Sequence, residues 1–135
     1  MLSSELVAQI QKFIPSERFY TDPVDCYTYG YDNSRKIFPP EAVIFPITTD
    51  EVATVLSLCN RYKTPITPRG RGTGTAGGST PDQEGIVLSL ERMVKILSVD
   101  PGNRVIISEP GVLNQEIQDA VKPYGFFWPP DPSSA

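Results

Sequence analysis

Five of the ten residues from position 69 to position 78 are glycine, in the run Arg69-Gly70-Arg71-Gly72-Thr73-Gly74-Thr75-Ala76-Gly77-Gly78. Helix and strand interiors do not carry glycine at that density, because glycine loses more backbone freedom on folding than any other residue. The run is therefore a loop. The apolar segments on either side, Ile66-Thr67-Pro68 and Ile86-Val87-Leu88-Ser89-Leu90, read as two separate strands. Bare main chain lets a ligand approach closely, and successive exposed amides form a concavity that binds anions. Arg69 and Arg71 add positive charge, and Thr73, Thr75 and Ser79 add hydroxyl donors. The pattern reads as a cradle for a phosphate or diphosphate. The competing reading is a flexible surface loop.

The spacing narrows the ligand. Gly72, Gly74 and Gly77 match G-x-G-x-x-G, but a dinucleotide fold of the Rossmann kind requires that motif to open a helix. Here Gly78-Ser79-Thr80-Pro81-Asp82 follows, which does not continue as an amphipathic helix. Glu91 is the residue available as a ribose-binding acid, yet the missing helix weighs against a nicotinamide site. No G-K-[ST] follows the glycines, so a P-loop is excluded.

The rest of the chain supplies short elements. Ser3 or Ser4 caps a first helix whose stripe is Leu6, Val7, Ile10, Phe13 and Ile14, ended by Pro15. Residues 20–40 hold four tyrosines, Asp22-Pro23, Asp32-Asn33 and Pro39-Pro40, and fit no single period. They read as an ordered loop lying over something, or as a docking segment. Ala42-Val43-Ile44-Phe45 is a buried strand stopped by Pro46. Thr48-Thr49-Asp50-Glu51 then matches a capping box, with Ile47 and Val52 placed as a staple. Val52, Val55, Leu56, Cys59 and Tyr62 form the inward stripe of that helix. Strand, helix, strand, loop and strand make a small parallel unit with right-handed crossovers. Residues 95–99 and 105–108 pair as a hairpin about Asp100-Pro101-Gly102-Asn103. Leu113, Ile117, Ala120 and Val121 mark a last helix, ended by Pro123 and Gly125.

Composition excludes several functions. The 135 residues include no histidine, so neither a Ser-His-Asp nor a Cys-His nucleophile can be assembled. Cys26 and Cys59 alone do not make a zinc site, and no metal site is expected. More than thirty residues apart, they read as two reduced, partly buried side chains. A formal net charge of −4 argues against non-specific nucleic-acid binding. The amino terminus lacks the basic and apolar regions of a secretory signal, and no apolar run approaches the ~18 residues of a membrane span. A cytoplasmic location is expected, peripheral to a membrane if the parent forms a complex there.

Taken together, the motifs resemble a known family. Pro65-Ile66-Thr67-Pro68-Arg69-Gly70-Arg71-Gly72-Thr73-Gly74, with Gly77-Gly78, resembles the flavin-binding loop of FAD-linked oxidases of the vanillyl-alcohol oxidase type, which carry a PCMH-type FAD domain. Three further pieces occur in the family's order. Phe45-Pro46 with Thr48-Thr49-Asp50-Glu51-Val52 is similar to its strand-proline-helix entry. Glu109-Pro110-Gly111-Val112 is similar to its mid-domain turn, and Pro129-Pro130-Asp131-Pro132-Ser133-Ser134 to its second FAD-contacting loop. Together with Gly125-Phe126-Phe127, these last two pieces most resemble the glycolate oxidase large-subunit and D-lactate dehydrogenase branch.

The resemblance implies an α+β fold: the amino-terminal part of a PCMH-type domain, with a small parallel β-α-β unit and the beginning of a second, mixed sheet with a helix. Residues 1–40 would be an amino-terminal helix and arm, and residues 41–135 part of the FAD-binding domain. It implies cofactor-binding roles for Pro68, Arg69, Gly70, Arg71, Gly72, Thr73, Gly74, Thr75, Gly77, Gly78 and Ser79. The same holds for Pro110, Gly111 and Val112, and for Pro130, Asp131, Pro132, Ser133 and Ser134. On its own residues the tail is only a rigid proline-rich segment with polar groups, or a disordered terminus. Some relatives tether FAD through a histidine beside the glycines; Thr73 stands in that stretch here, so FAD would be held non-covalently.

No catalytic residue is expected within the chain. The parent would oxidise a small 2-hydroxy acid such as glycolate or D-lactate, and its substrate-side histidines would lie in a further part of the FAD domain, a substrate domain or partner subunits. The chain alone would then be inactive, with apolar surface around Phe126, Phe127 and Trp128 and a tendency to self-associate or to carry a mobile tail. The alternative is a non-catalytic nucleotide-binding or interaction module that needs a partner to complete its fold.

Overall fold

The computed structural model describes residues 1–130 and divides the chain into two compact units, Met1–Arg92 and Met93–Ala135. The first unit is built on a four-stranded sheet. β1 (Phe19–Tyr20), β2 (Ala42–Ile44), β3 (Ile66–Arg69) and β4 (Ile86–Ser89) lie in the order β1-β2-β4-β3. β4 runs parallel to both β2 and β3, while β1 pairs antiparallel with β2.

Every residue of β2 and β4 is buried. Parallel strands of this kind need cover on both faces of the sheet. One face is covered by helices. α1 (Ser4–Ile10) and α3 (Thr49–Arg61) pack Leu6, Ile10, Val55 and Cys59 against Ala42, Ile44, Ile86 and Leu88. The alternate strand residues, Val43, Phe45 and Val87, point to the other face. Their cover is the tyrosine-rich segment. A one-and-a-half-turn helix, α2 (Pro23–Tyr27), contributes Cys26, and Tyr20 and Tyr29 set their rings edge-on to Phe45 at centroid distances of 4.8 and 5.2 Å. Both thiols are free and buried, and burial pushes each up to about 11, which leaves them unreactive near neutrality.

The segment 20–40 thus has the role expected of it, an ordered cover, but it contains more regular structure than its lack of period suggests. Asp22 caps α2 by accepting from the Val24 amide (2.8 Å), and Tyr20 belongs to an edge strand. Both elements are too short to show a period. Ser3 caps α1, its Oγ accepting from the Leu6 amide at 3.1 Å. In α3 the Thr48 hydroxyl accepts from the Glu51 amide (3.2 Å) as the capping box requires. Glu51 reaches back as the box expects, bonding the Thr48 main chain, and it also accepts from the Ile47 amide (2.8 Å) and grips Arg18. Leu56, expected to face inward, is 44% exposed, because the buried stripe of α3 narrows to Val55 and Cys59.

The second unit contains the expected hairpin, β5 (Ile96–Asp100) and β6 (Val105–Ser108), with α4 (Asn114–Val121) after it. Asp100 closes the hairpin turn by accepting from the Asn103 amide (3.0 Å) and side chain (2.7 Å). Glu116 reaches back to the Leu113 amide (2.7 Å) at the start of α4. Gln118 then holds the main chain of Trp128 from both sides: its amide donates to the Trp128 carbonyl, and its oxygen accepts from the Trp128 N–H (3.0 Å).

The Arg18–Glu51 pair joins the short 3-10 helix Ser16–Arg18, just before β1, to the start of α3. It is bidentate (2.6 and 2.8 Å), its side chains are 12% and 17% exposed, and Arg18 Nη1 also donates to the Phe45 carbonyl (3.1 Å). Hydrogen bonding from Arg18 holds the Glu51 carboxyl below its ordinary value. A depressed carboxylate contributes stability above its unfolded pKa, about 4.3, and that contribution is lost as pH falls through the lower folded value. Glu51→Gln should cost about 3 kcal/mol at pH 7 by leaving Arg18 without its anion. The difference from wild type should shrink below pH 4, as read by urea unfolding at the two pH values; an undiminished difference in acid would contradict the pair's role.

Candidate functional site

The glycine loop leaves the carboxyl end of β3 and returns through Pro81 to β4. Ligands of open α/β sheets collect at this end of parallel strands. A cleft of about 380 Å³ is lined there by residues 70–76, Gly78 and Ser79 together with Asp32. Pro68, Gly77 and Gly78 contribute to a second cleft of about 490 Å³, which also holds Lys36, Phe38, Thr80 and Asp82.

The loop's geometry fits an anion cradle. An added Cβ would meet nothing within 4 Å at Gly70 or Gly78, and at Gly74 only Asp32 Oδ2 at 3.9 Å. The missing side chains therefore leave free space beside the main chain. Gly72 is different: its φ is +68°, and a Cβ there would run into the Arg69 guanidinium. Positive φ occurs in this loop at Gly72 and Gly77; the other glycines leave room for approach. Among the described residues, the amides of residues 72–76 donate to no acceptor. The loop thus holds a run of main-chain donors without an acceptor among the described residues.

Arg69, expected to add charge beside the glycines, is only 7% exposed and turned to the arm. Its Nη1 donates to the Tyr31 carbonyl (2.7 Å), and its guanidinium lies 5.7 Å from the Tyr29 ring centroid. Its charge remains near the loop, but its hydrogen bond is structural. Tyr29 donates to Glu91 (3.3 Å); burial first, and then Glu91, push its hydroxyl up to about 12. Glu91 therefore binds a tyrosine. Ser79 donates to Asp32 (3.3 Å), and Thr80 folds back onto the Gly77 carbonyl (2.7 Å).

Residues 31–34 are the contributors that sequence reasoning missed. Asn33 donates from its main chain to the Gly74 carbonyl (2.9 Å) and from its side chain to the Thr73 carbonyl (3.1 Å). Asp32, 5% exposed, accepts from the Ser34 amide (2.8 Å) and from Ser79, and these bonds, led by Ser34, hold its carboxyl below the ordinary range. The only sequence signal was the Asp32-Asn33 dipeptide, which marks a turn without naming its partner about 40 residues away.

Pro110, Gly111 and Val112 lie in the second unit, in the turn after β6, where the Gly111 amide donates to the Met93 carbonyl (2.8 Å). The Pro130 carbonyl accepts from Asn114 (3.2 Å). Asp131, Pro132, Ser133 and Ser134 lie outside the described residues. A larger cleft, about 660 Å³, is within the second unit and lined largely by apolar side chains, among them Val99, Ile106, Phe126, Phe127 and Trp128. Size does not make it the phosphate site: it lacks a run of bare amides, which is what an anion requires. Among the described residues no cluster of His, Cys, Asp and Glu could hold a metal, and no helix is long and apolar enough to cross a membrane.

Comparison with known proteins follows the same line. The chain is 36% identical over 135 residues to the glycolate oxidase subunit GlcD of Bacillus subtilis, covering 99% of this chain and 29% of that protein. It is 35% identical to a D-lactate dehydrogenase of Archaeoglobus fulgidus, covering 96% of this chain and 28% of that one. Its fold superposes on an alkyldihydroxyacetonephosphate synthase with a TM-score of 0.86 at 21% identity, over 99% of this chain and 30% of the other. The chain therefore spans less than a third of the length of these relatives. The family described as FAD binding domain matches residues 40–135, and with this fold and this glycine loop the chain belongs to that family.

Proposed function

We propose that this chain is the cofactor-holding portion of a flavin-dependent oxidoreductase that oxidises a 2-hydroxy acid of the glycolate or D-lactate type. The observation that carries the proposal is the run of unpartnered amides at residues 72–76 beside glycines with open space, a fit for the FAD diphosphate. The names and identities of the GlcD and D-lactate dehydrogenase relatives support the reaction class. When bound, FAD supplies the hydride-accepting centre. The chain's own residues bind and orient it: Pro68 to Thr75 and Gly77 to Ser79 at the diphosphate, with Pro110, Gly111, Val112 and the tail from Pro130 to Ser134 as further contacts. No histidine stands beside the glycines, so the cofactor is held without a covalent bond there. Proton abstraction from the substrate falls to groups outside this chain, as does the choice of hydroxy acid.

A second reading, a docking module completed by a partner, draws on the hairpin. Leu97, Val105 and Ile107 are 60%, 49% and 52% exposed, and Phe127 is 77% exposed. We assign this apolar surface to contact with the remainder of the parent protein, since the chain spans 29% of its GlcD relative. The isolated chain should then self-associate at micromolar to millimolar concentration. Sedimentation velocity should show its apparent mass rising with concentration, and Phe127→Ser should reduce that rise. A strictly monomeric wild type would contradict the assignment.

FAD titration of the wild-type chain should quench flavin fluorescence, with no bleaching on addition of glycolate or D-lactate. Gly74→Val is the discriminating variant, because the site has room for Cβ and no positive φ to strain. It should retain the fold yet weaken FAD at least tenfold, about 1.4 kcal/mol, by filling the approach to the main chain. Gly72→Val should lose binding as well, but with a loss of stability. Unaltered FAD affinity in Gly74→Val, or bleaching by the chain alone, would overturn the proposal.

A further inference from the structure

The arm residues that grip the glycine loop show how its amides are aimed. Asn33 captures two successive carbonyls, those of Thr73 and Gly74, at 3.1 and 2.9 Å. In a planar trans peptide the C=O and the N–H of one unit point in opposite directions. Fixing the carbonyls of Thr73 and Gly74 toward the arm therefore turns the N–H groups of Gly74 and Thr75 away from it. The returning limb of the loop is held by the neighbouring residue, Asp32, which accepts from Ser79 Oγ (3.3 Å) and the Ser34 amide (2.8 Å). Arg69 closes the same seam on the Tyr31 carbonyl (2.7 Å).

We infer that Asp32 and Asn33 are positioning residues for the cofactor's diphosphate, which set the direction of the loop amides without themselves touching the ligand. The inference rests on the flavin reading of the loop. A buried carboxylate lining an anion cleft is otherwise a contradiction, since like charges repel. The contradiction is resolved if the carboxylate oxygens are committed to Ser34 and Ser79 and act as a fixed anchor. Four consecutive residues, Tyr31 to Ser34, thus organise a loop about 40 positions further along the chain.

Asp32→Asn separates positioning from simple proximity by the sign of its effect. Removal of a negative charge near a diphosphate should tighten FAD if Asp32 is only a neighbour. It should weaken FAD about tenfold if Asp32 is an anchor. Asn33→Ala should weaken FAD by a similar factor, with the far-ultraviolet circular dichroism and melting temperature close to wild type, because Asn33 is exposed. Amide 1H–15N chemical shifts and order parameters of the cofactor-free chain give a readout independent of FAD. In Asn33→Ala, the Gly74 and Thr75 amide resonances should shift and their order parameters fall, while the amides of β2 and β4 stay as in wild type. Tighter FAD binding by Asp32→Asn, or unchanged shifts and order parameters at Gly74 and Thr75 in Asn33→Ala, would overturn the positioning role. Failure of the wild-type chain to bind FAD, with those amides altered as expected, would instead sink the flavin reading and leave the aiming of the amides standing.

Discussion

Burial of β4 between two parallel neighbours governs the first unit. With β2 on one side and β3 on the other, its main chain is paired along both edges, and Ile86, Val87 and Leu88 have no solvent on either face. Such a strand is stable only if both faces are covered, and the chain has few elements to do it. α1 and α3 take one face. The tyrosine arm takes the other with aromatic edges on Phe45, and the guanidinium of Arg92, which follows β4, lies 4.6 Å from the same ring. The arm that covers the sheet is then at hand to grip the loop leaving β3. Core and site are therefore built from the same segment.

The longer helices, the parallel strands and the hairpin were legible because their periods and caps are local, whereas α2 and β1 are too short to show a period. Thr48 and Glu51, Ser3, and the turn around Asp100 all act within four residues of themselves. The glycine loop was legible as well, since its composition forbids regular structure. The grip of residues 31–34 was not, because each of its hydrogen bonds to the loop joins positions 38 to 47 residues apart and leaves no periodic trace. Arg69 shows the same limit. Its charge could be read from the sequence, but its commitment to Tyr31 depends on the arm's path. Leu56 was misjudged for a packing reason: α3 lies on the sheet along a narrow line, and a residue one position round the helix falls outside it.

The second unit has a different character. A two-stranded hairpin with exposed apolar residues on β5 and β6 does not bury enough surface to be stable by itself. α4 and the Gln118 clamp on Trp128 supply part of its cover. The rest of its apolar surface is open to solvent, on a chain that spans less than a third of the length of its relatives.

A crystal structure of the chain grown with FAD tests the central claim most directly. The account places diphosphate oxygens about 3 Å from main-chain nitrogens of residues 70–79, with the carbonyls of Thr73 and Gly74 still on Asn33. FAD bound with its diphosphate elsewhere, or with those carbonyls rotated toward the ligand, would contradict it.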